Sequence, residues 1–133
     1  SAFFMQAFAR IGLVPDCGSS WILPRLIGVA RALELSLLAE RLPAEKAGAW
    51  GLVNQVLPDA ELAAAARAMA ERLANGPSSL GLIRRMYWDG LENDYSTQLQ
   101  LEADLQKQAG LSADHAEGVA AFREKREARF GGR

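Results

Sequence analysis

The fold predicted for this chain depends on one segment near its N-terminus, Gly12-Leu13-Val14-Pro15-Asp16-Cys17-Gly18-Ser19-Ser20-Trp21. Apolar residues lead into a Pro-Asp turn, small residues follow, and a helix is expected to begin after them. This order places Asp16 at a tight turn in a mostly apolar neighbourhood. Because apolar surroundings disfavour a charged carboxyl group, such a position suits proton transfer. The alternative is that Asp16 only caps the helix that starts near Ser19.

The composition is that of one domain with a hydrophobic core. The chain has 133 residues, half of them hydrophobic, and a net charge of −1. This charge gives no argument for nucleic acid or a membrane surface as a partner, and no apolar run reaches the ~20 residues of a membrane span. The first residues lack the charged start and the cleavage site of a signal peptide, so a cytoplasmic location is expected.

Two residue types bear on metal and thiol chemistry. Cys17 is the single cysteine, so neither an internal disulfide nor a thiolate metal cluster is possible within one chain. His115 is the single histidine and lies among alanines and acidic residues, so it is expected at the surface. The sequence therefore predicts no metal site.

The first eight residues form an apolar run rich in phenylalanine. Its length and aromatic content favour a buried strand. The rest of the chain is predicted to be helical, so this strand has no expected partner, and an unpaired strand leaves its backbone groups unsatisfied. We therefore expect the strand to pair with something outside this sequence, to pair with itself across an oligomer, or to remain loose. This mismatch suggests that the chain is the C-terminal part of a larger α/β protein.

Seven helices are predicted from apolar spacing and from the glycines and prolines that stop them. Their approximate ranges are 19–27, 29–39, 43–51, 58–75, 78–90, 94–110 and 112–130. The β-rich segment 52–57 is predicted to be a small strand or an extended connector. Asp114 and Glu117 are expected to form a capping pair at the last helix.

Several apolar faces are expected on these helices. In the helix 29–39 the apolar side is predicted to contain Leu33, Leu37 and Leu38. In the helix 58–75 the stripe contains Leu62, Ala66, Met69 and Leu73. In the helix 78–90 the inward face is predicted to contain Leu82, Ile83 and Met86. In the helix 94–110 one face is predicted to contain Leu99, Glu102, Leu105 and Gln106.

Four stretches of sequence follow one another in a familiar order: 8–20 with 23–28, 30–35 with 42–47, 50–56, and 117–126. Together they resemble the C-terminal half of the crotonase family, also called the enoyl-CoA hydratase/isomerase family. The resemblance implies a mainly α chain, the helical oligomerisation portion of a crotonase-like α/β fold with a short N-terminal strand. Residues 1–28 are then the tail end of the core with the catalytic turn, and residues 29–133 the helical C-terminal region.

The resemblance also implies chemistry on acyl-CoA thioesters. Members of the family stabilise an enolate with two peptide N–H groups, and carboxylates move protons or attack the acyl group. Coenzyme A is part of the substrate, so no separate cofactor is expected. The loops that carry the two N–H groups have no match here, so the chain is expected to be truncated and inactive alone. The family implies a homo-oligomer, a trimer commonly stacked into a hexamer.

The position of the carboxylate separates the subgroups of this family. Hydratases carry a glutamate where this chain has Phe8, which cannot act as an acid or a base. Isomerases and dehalogenases carry an aspartate in the turn, where Asp16 lies, and the pattern is most similar to ring-epoxide phenylacetyl-CoA isomerases. Asp16 is then the catalytic acid/base or nucleophile of an isomerisation through an enolate. The alternatives are an enoyl-CoA hydratase of fatty-acid degradation and a non-catalytic helical oligomerisation module.

Phe122 and Lys125 are the candidate contacts to coenzyme A. They lie three residues apart, which places them on one face of a helix. In the family the matching aromatic and lysine lie against the adenine and phosphates, chemistry that suits a ring face and an ammonium group. The alternative is a core phenylalanine followed by cations that favour the negative end of a helix, on a solvated face of alternating charge.

Overall fold

A computed structural model describes residues 1–132. Its elements are, in order, β1 Phe3–Phe4, a 3₁₀ helix Ala7–Ile11, α1 Ser19–Ile27, α2 Val29–Leu38, β2 Leu42–Pro43, α3 Ala44–Trp50, α4 Asp59–Ala74, α5 Ser79–Asp89, α6 Tyr95–Gly110 and α7 Ala113–Glu124. The mainly helical class with a short N-terminal strand is confirmed. None of these helices is both long enough and apolar enough to cross a bilayer.

The N-terminal strand has a partner within the chain. Strand β1 pairs antiparallel with β2, with Phe3 opposite Pro43 and Phe4 opposite Leu42. The expectation that the strand has no partner within this sequence is therefore wrong. Strand β2 was missed because a two-residue strand that contains a proline gives no periodic signal. Both phenylalanines are exposed, so the expectation of a buried strand is wrong as well.

The chain divides into two compact units, Ser1–Ala63 and the residues from Ala64 onward, which are described separately. The core of the first unit is formed by Leu35, Leu42 and Ala47. Partly buried apolar residues pack against this cluster; they are Leu23, Trp50, Leu52 and Val53. The first unit is thus centred on the contact of α2 and α3 with the strand pair.

The buried face of α2 differs from the predicted one. Ala32 and Leu35 are buried, whereas the predicted stripe of Leu33, Leu37 and Leu38 is exposed. Leucine occurs on more than one side of this helix, so spacing alone cannot select the side that meets the core. The contact with the strand pair selects the side of Leu35.

The segment 52–57 forms no strand and is a connector, one of the two predicted alternatives. It packs tightly on α3, since a Cβ placed on Gly48 would lie 2.9 Å from Cγ2 of Val56. Such a distance is shorter than side-chain contacts allow. Gly48 is therefore required by the close approach of the connector.

In the second unit, α5 packs against α6, and α6 packs against α7. Helix α6 begins as predicted at Asp94, whose carboxylate accepts a hydrogen bond from the N–H of Thr97 at 2.7 Å. This hydrogen bond lowers the pKa of Asp94. The amide of Gln98 then donates to the carbonyl of Met86 at 3.3 Å and joins α6 to α5.

Helix α7 begins near the predicted Ser112, but its cap and its end differ from the prediction. Its N-cap is Ser112, whose Oγ accepts from the N–H of His115 at 3.1 Å, so the predicted capping pair of Asp114 and Glu117 is wrong. Its last residue is Glu124, and the chain turns away at Lys125 with φ of 55°. The predicted continuation toward residue 130 is therefore also wrong.

Candidate active site

Asp16 lies in a turn between the 3₁₀ helix and α1. The next two residues, Cys17 and Gly18, both have left-handed backbones, with φ of 51° and 74°. The carbonyl oxygen of Asp16 accepts two hydrogen bonds from Ser19, from its N–H at 2.9 Å and from its Oγ at 2.7 Å. These contacts fix the turn through the backbone and leave the carboxylate outside it.

The carboxylate of Asp16 is not a helix cap. The N-cap of α1 is Gly18, and it makes no side-chain capping hydrogen bond. Asp16 is exposed, and so are its neighbours Leu13 and Val14. The capping alternative is therefore wrong, and the apolar surroundings expected for Asp16 are not supplied by residues 1–132.

Cys17 is a neighbour of the carboxylate that the sequence argument missed. The adjacent Asp16 side chain raises the pKa of the exposed Cys17 thiol. Direct adjacency in the sequence was the available signal, but side-chain direction in a left-handed turn is not visible from spacing. A raised pKa favours the protonated thiol over the reactive thiolate.

The segments on both sides of the turn are held by local contacts. Gly12 has φ of 72° at the end of the 3₁₀ helix, a conformation that glycine adopts most easily. The N–H of Leu13 donates to the carbonyl of Phe8 at 3.0 Å, and Phe8 is half-buried in that helix. On the other side, the Arg25 guanidinium lies 3.6 Å from the centre of the Trp21 ring.

The second unit carries both candidate contacts to coenzyme A. Phe122 lies on α7 with 85% of its surface exposed, so the alternative of a core phenylalanine is wrong for the described residues. Lys125 is exposed and lies just beyond the helix rather than within it, which is a correction to the predicted shared helix face. Its charge still suits the negative end of α7.

The segment after α7 folds back along the helix. Arg126 donates to both carboxylate oxygens of Glu117, from Nη1 to Oε1 at 2.6 Å and from Nη2 to Oε2 at 3.0 Å. The N–H of Arg129 donates to the same Glu117 Oε1 at 2.8 Å. Arg126 also pairs with Glu124, from Nε to Oε2 at 2.6 Å. We call Glu117, Arg126 and Arg129 the Glu117 clamp.

Acidification is expected to weaken the Glu117 clamp. The hydrogen bonds from Arg126 and Arg129 lower the pKa of Glu117 from 4.5 to about 2. A lowered folded-state pKa gives stabilisation that is complete above the unfolded-state value and is lost as the pH falls toward the folded-state value. The thermal midpoint, followed between neutral pH and about pH 3, should therefore fall less steeply in a Glu117→Gln variant. Superimposable pH profiles would contradict this assignment.

A cavity of about 920 Å³ lies among α5, α6 and α7. The predicted faces of α5 and α6 both line it, although Ile83 and Leu99 on these faces are exposed. Phe122 and Phe130 also line it, as do the polar side chains of Glu102 and His115. His115 is exposed, as predicted. Over residues 1–132, no three His, Cys, Asp or Glu side chains are grouped as a metal ion would require.

Known proteins match this chain over its full length. The enoyl-CoA hydratase/isomerase profile matches residues 1–133. The 1,2-epoxyphenylacetyl-CoA isomerase of Escherichia coli is 48% identical over 134 residues, covering 100% of this chain and 51% of that protein. A probable enoyl-CoA hydratase of Rhodobacter capsulatus is also 48% identical, with coverage of 100% and 52%. The enoyl-CoA hydratase structure from Bacillus anthracis superposes with a TM-score of 0.94 at 33% identity, covering 100% of this chain and 52% of that one.

The chain belongs to the enoyl-CoA hydratase/isomerase family, the crotonase family that its motifs resemble. The family is enzymatic, and the relatives above are named for acyl-CoA chemistry. The chain spans about half the length of the curated relatives that it matches.

Proposed function

We propose that the whole protein is an acyl-CoA isomerase in which Asp16 moves a proton during isomerisation through an enolate. The observation that carries this proposal is the carboxylate of Asp16, which is exposed and is not used as the cap of α1. The isomerase from Escherichia coli, at 48% identity over the whole chain, supports the same class of reaction. Phe8 takes the place of a second carboxylate and disfavours hydration of a double bond.

The turn suits Asp16 for proton transfer. Its backbone is fixed by Ser19, so the carboxylate is held in place while it remains open to a substrate. It takes a proton from one carbon of the acyl chain, and the electron pair left behind is delocalised into the thioester as an enolate. The same carboxyl group returns the proton at another carbon.

We further infer that Phe122 and Lys125 contact coenzyme A. An exposed aromatic ring offers a face for adenine, and an ammonium group suits a phosphate. Coenzyme A enters as part of the substrate, and no other cofactor is invoked. The 133-residue chain alone is expected to bind without turnover, because the enolate-stabilising N–H groups have no match in it.

A hydratase is the second candidate, since the relative from Rhodobacter capsulatus, also at 48% identity, is named a probable enoyl-CoA hydratase. The two candidates are distinguished by whether the enzyme adds water to its substrate. Addition of water to crotonyl-CoA by the whole protein would support the hydratase, whereas shifting of a double bond or ring without water addition would support the isomerase.

The exposed apolar stripe of α4 supports a homo-oligomer, a trimer or hexamer as in the family. Helix α4 has no buried residue in the chain by itself. Its apolar side chains Leu62, Met69 and Leu73 are exposed, and apolar patches of this kind mark association surfaces. Light scattering of the whole protein tests this assembly.

Two substitutions of Lys125 should distinguish the effect of its ammonium on coenzyme A binding from the effect of its left-handed backbone on stability. Both Lys125→Ala and Lys125→Gly remove the ammonium, and we expect each to weaken the affinity for coenzyme A by about tenfold. Only the glycine variant also relieves the left-handed backbone, so only it should gain stability, by up to about 1 kcal/mol. Isothermal titration with coenzyme A and thermal unfolding measure the two effects.

Lys107→Ala is the matched control, since Lys107 is another exposed lysine near the end of a helix. Its affinity for coenzyme A should equal that of the parent chain. Unchanged affinity in both Lys125 variants would contradict the proposed contact.

A further inference from the structure

Lys125 has a backbone conformation that lysine does not favour. Its φ of 55° lies in the left-handed region, where glycine ends many helices. The hydrogen bonds there are those of a glycine-type ending, from Lys125 N to the Phe122 carbonyl at 3.3 Å and from Arg126 N to the Ala121 carbonyl at 3.1 Å. An unfavourable conformation persists only where its surroundings enforce it.

The Glu117 clamp keeps Lys125 in the left-handed conformation, because it holds the chain on both sides of this residue. Glu117 lies in α7 before Lys125, and its partners Arg126 and Arg129 come after. Both oxygens of its carboxylate are engaged, and a paired fork of this kind fixes direction as well as distance. The link between Arg126 and Glu124 adds a further restraint next to Lys125.

We propose that Glu117 and Arg126 are positioning residues, which hold Lys125 in the left-handed turn and thereby present its ammonium to the anionic end of the substrate. This inference rests on the proposed function, because it takes Lys125 as a contact to coenzyme A. The clamp itself touches no substrate and acts through Lys125.

The tail has a second anchor that is independent of the clamp. The N–H of Gly131 donates to Asp114 Oδ1 at 2.8 Å. Gly118 lies next to the Phe130 ring, since a Cβ there would lie 3.7 Å from Phe130 Cε1. The tail should therefore stay attached to the unit when the clamp is removed, and only the direction of Lys125 should change.

In Glu117→Ala, the loss of a negative charge and the loss of the clamp should change the affinity for coenzyme A in opposite directions. Removing a negative charge close to an anion site should by itself raise the affinity for coenzyme A. Removing the clamp should lower it, because Lys125 is then free to leave its position. We expect the affinity of the 133-residue chain for coenzyme A to fall about fivefold, and KM for the acyl-CoA in the whole protein to rise by a similar factor with kcat unchanged.

A double-mutant cycle shows whether the clamp acts through Lys125. The combined Glu117→Ala and Lys125→Ala variant should bind no more weakly than Lys125→Ala alone. Asp89→Ala is the matched control, since it removes the acidic partner of another exposed ion pair in the same unit, with Arg85 at 3.2 Å. Its affinity should not fall.

The possible outcomes distinguish the contact of Lys125 with coenzyme A from the positioning role of the Glu117 clamp. If Lys125→Ala leaves affinity and KM unchanged, the proposed contact of Lys125 fails and the clamp's role fails with it. If Lys125→Ala weakens binding but Glu117→Ala does not, or if the two losses add fully, the contact stands and the positioning role is overturned. Should Glu117→Ala lose helical content, Glu117→Gln keeps the side-chain shape and should give a smaller loss of the same sign.

Discussion

Replacing Asp16 with asparagine is expected to lower kcat of the whole protein on its acyl-CoA substrate by about 10²–10⁴-fold, the range found for general acid–base groups. Asparagine matches the shape of aspartate but cannot carry a proton between two carbons. Since the carboxylate of Asp16 is not a cap for α1, the change should leave the thermal midpoint nearly unchanged. Steady-state kinetics and thermal unfolding of the same preparation measure both effects.

Asp104→Asn is a suitable control for this experiment. Asp104 is an exposed aspartate that accepts a hydrogen bond from the side chain of Gln100 at 3.1 Å, and activity should persist after the change. An Asp16→Asn variant with full activity would show that Asp16 is not catalytic, which returns the non-catalytic alternative. A variant that unfolds early would instead indicate a structural role for the carboxylate.

Most of the fold followed from local signals that act within a few residues. Gly28 separates α1 from α2, and Gly51 ends α3, because each has the positive φ that glycine favours. Asp94 starts α6 through its own side chain. Because such signals depend only on neighbouring residues, these helix ends were predicted closely.

The features that were missed depend on contacts between distant residues. Strand β2 contains two residues and exists only because β1 reaches it. The end of α7 was placed too late because its left-handed residue is Lys125 rather than glycine. It is the pairing of Glu117 with Arg126, nine positions apart, that favours this early ending.

In the candidate site, too, the features set by neighbouring residues were predicted and those set by three-dimensional packing were not. The turn of Asp16 was located by its proline, small residues and following helix, all adjacent in sequence. Its exposure was not predicted, because burial of a carboxylate depends on what packs over it rather than on its neighbours in the chain. The thiol of Cys17 was missed since the direction of a side chain in a left-handed turn is a three-dimensional property.

Truncation of Leu35 is expected to give a large loss of stability in the first unit. Leu35 is 5% exposed and packs in the core cluster with Leu42 and Ala47. Leu35→Ala should lower the free energy of unfolding by about 2–5 kcal/mol, through lost apolar burial and the cavity that remains. Denaturant unfolding followed by tryptophan fluorescence measures the loss, since Trp50 packs against this cluster.

Leu33→Ala is the matched control, because Leu33 lies two residues away on the same helix but is 52% exposed. In the separate chain its effect should stay within about 0.5 kcal/mol, as for other surface positions. Equal losses in the two variants would contradict the buried face assigned to α2 and would favour the stripe predicted from spacing. A loss for Leu33→Ala that appears only in the oligomer would have a different meaning. It would place the exposed leucines of α2 at a contact between subunits, because only assembly would then remove them from water.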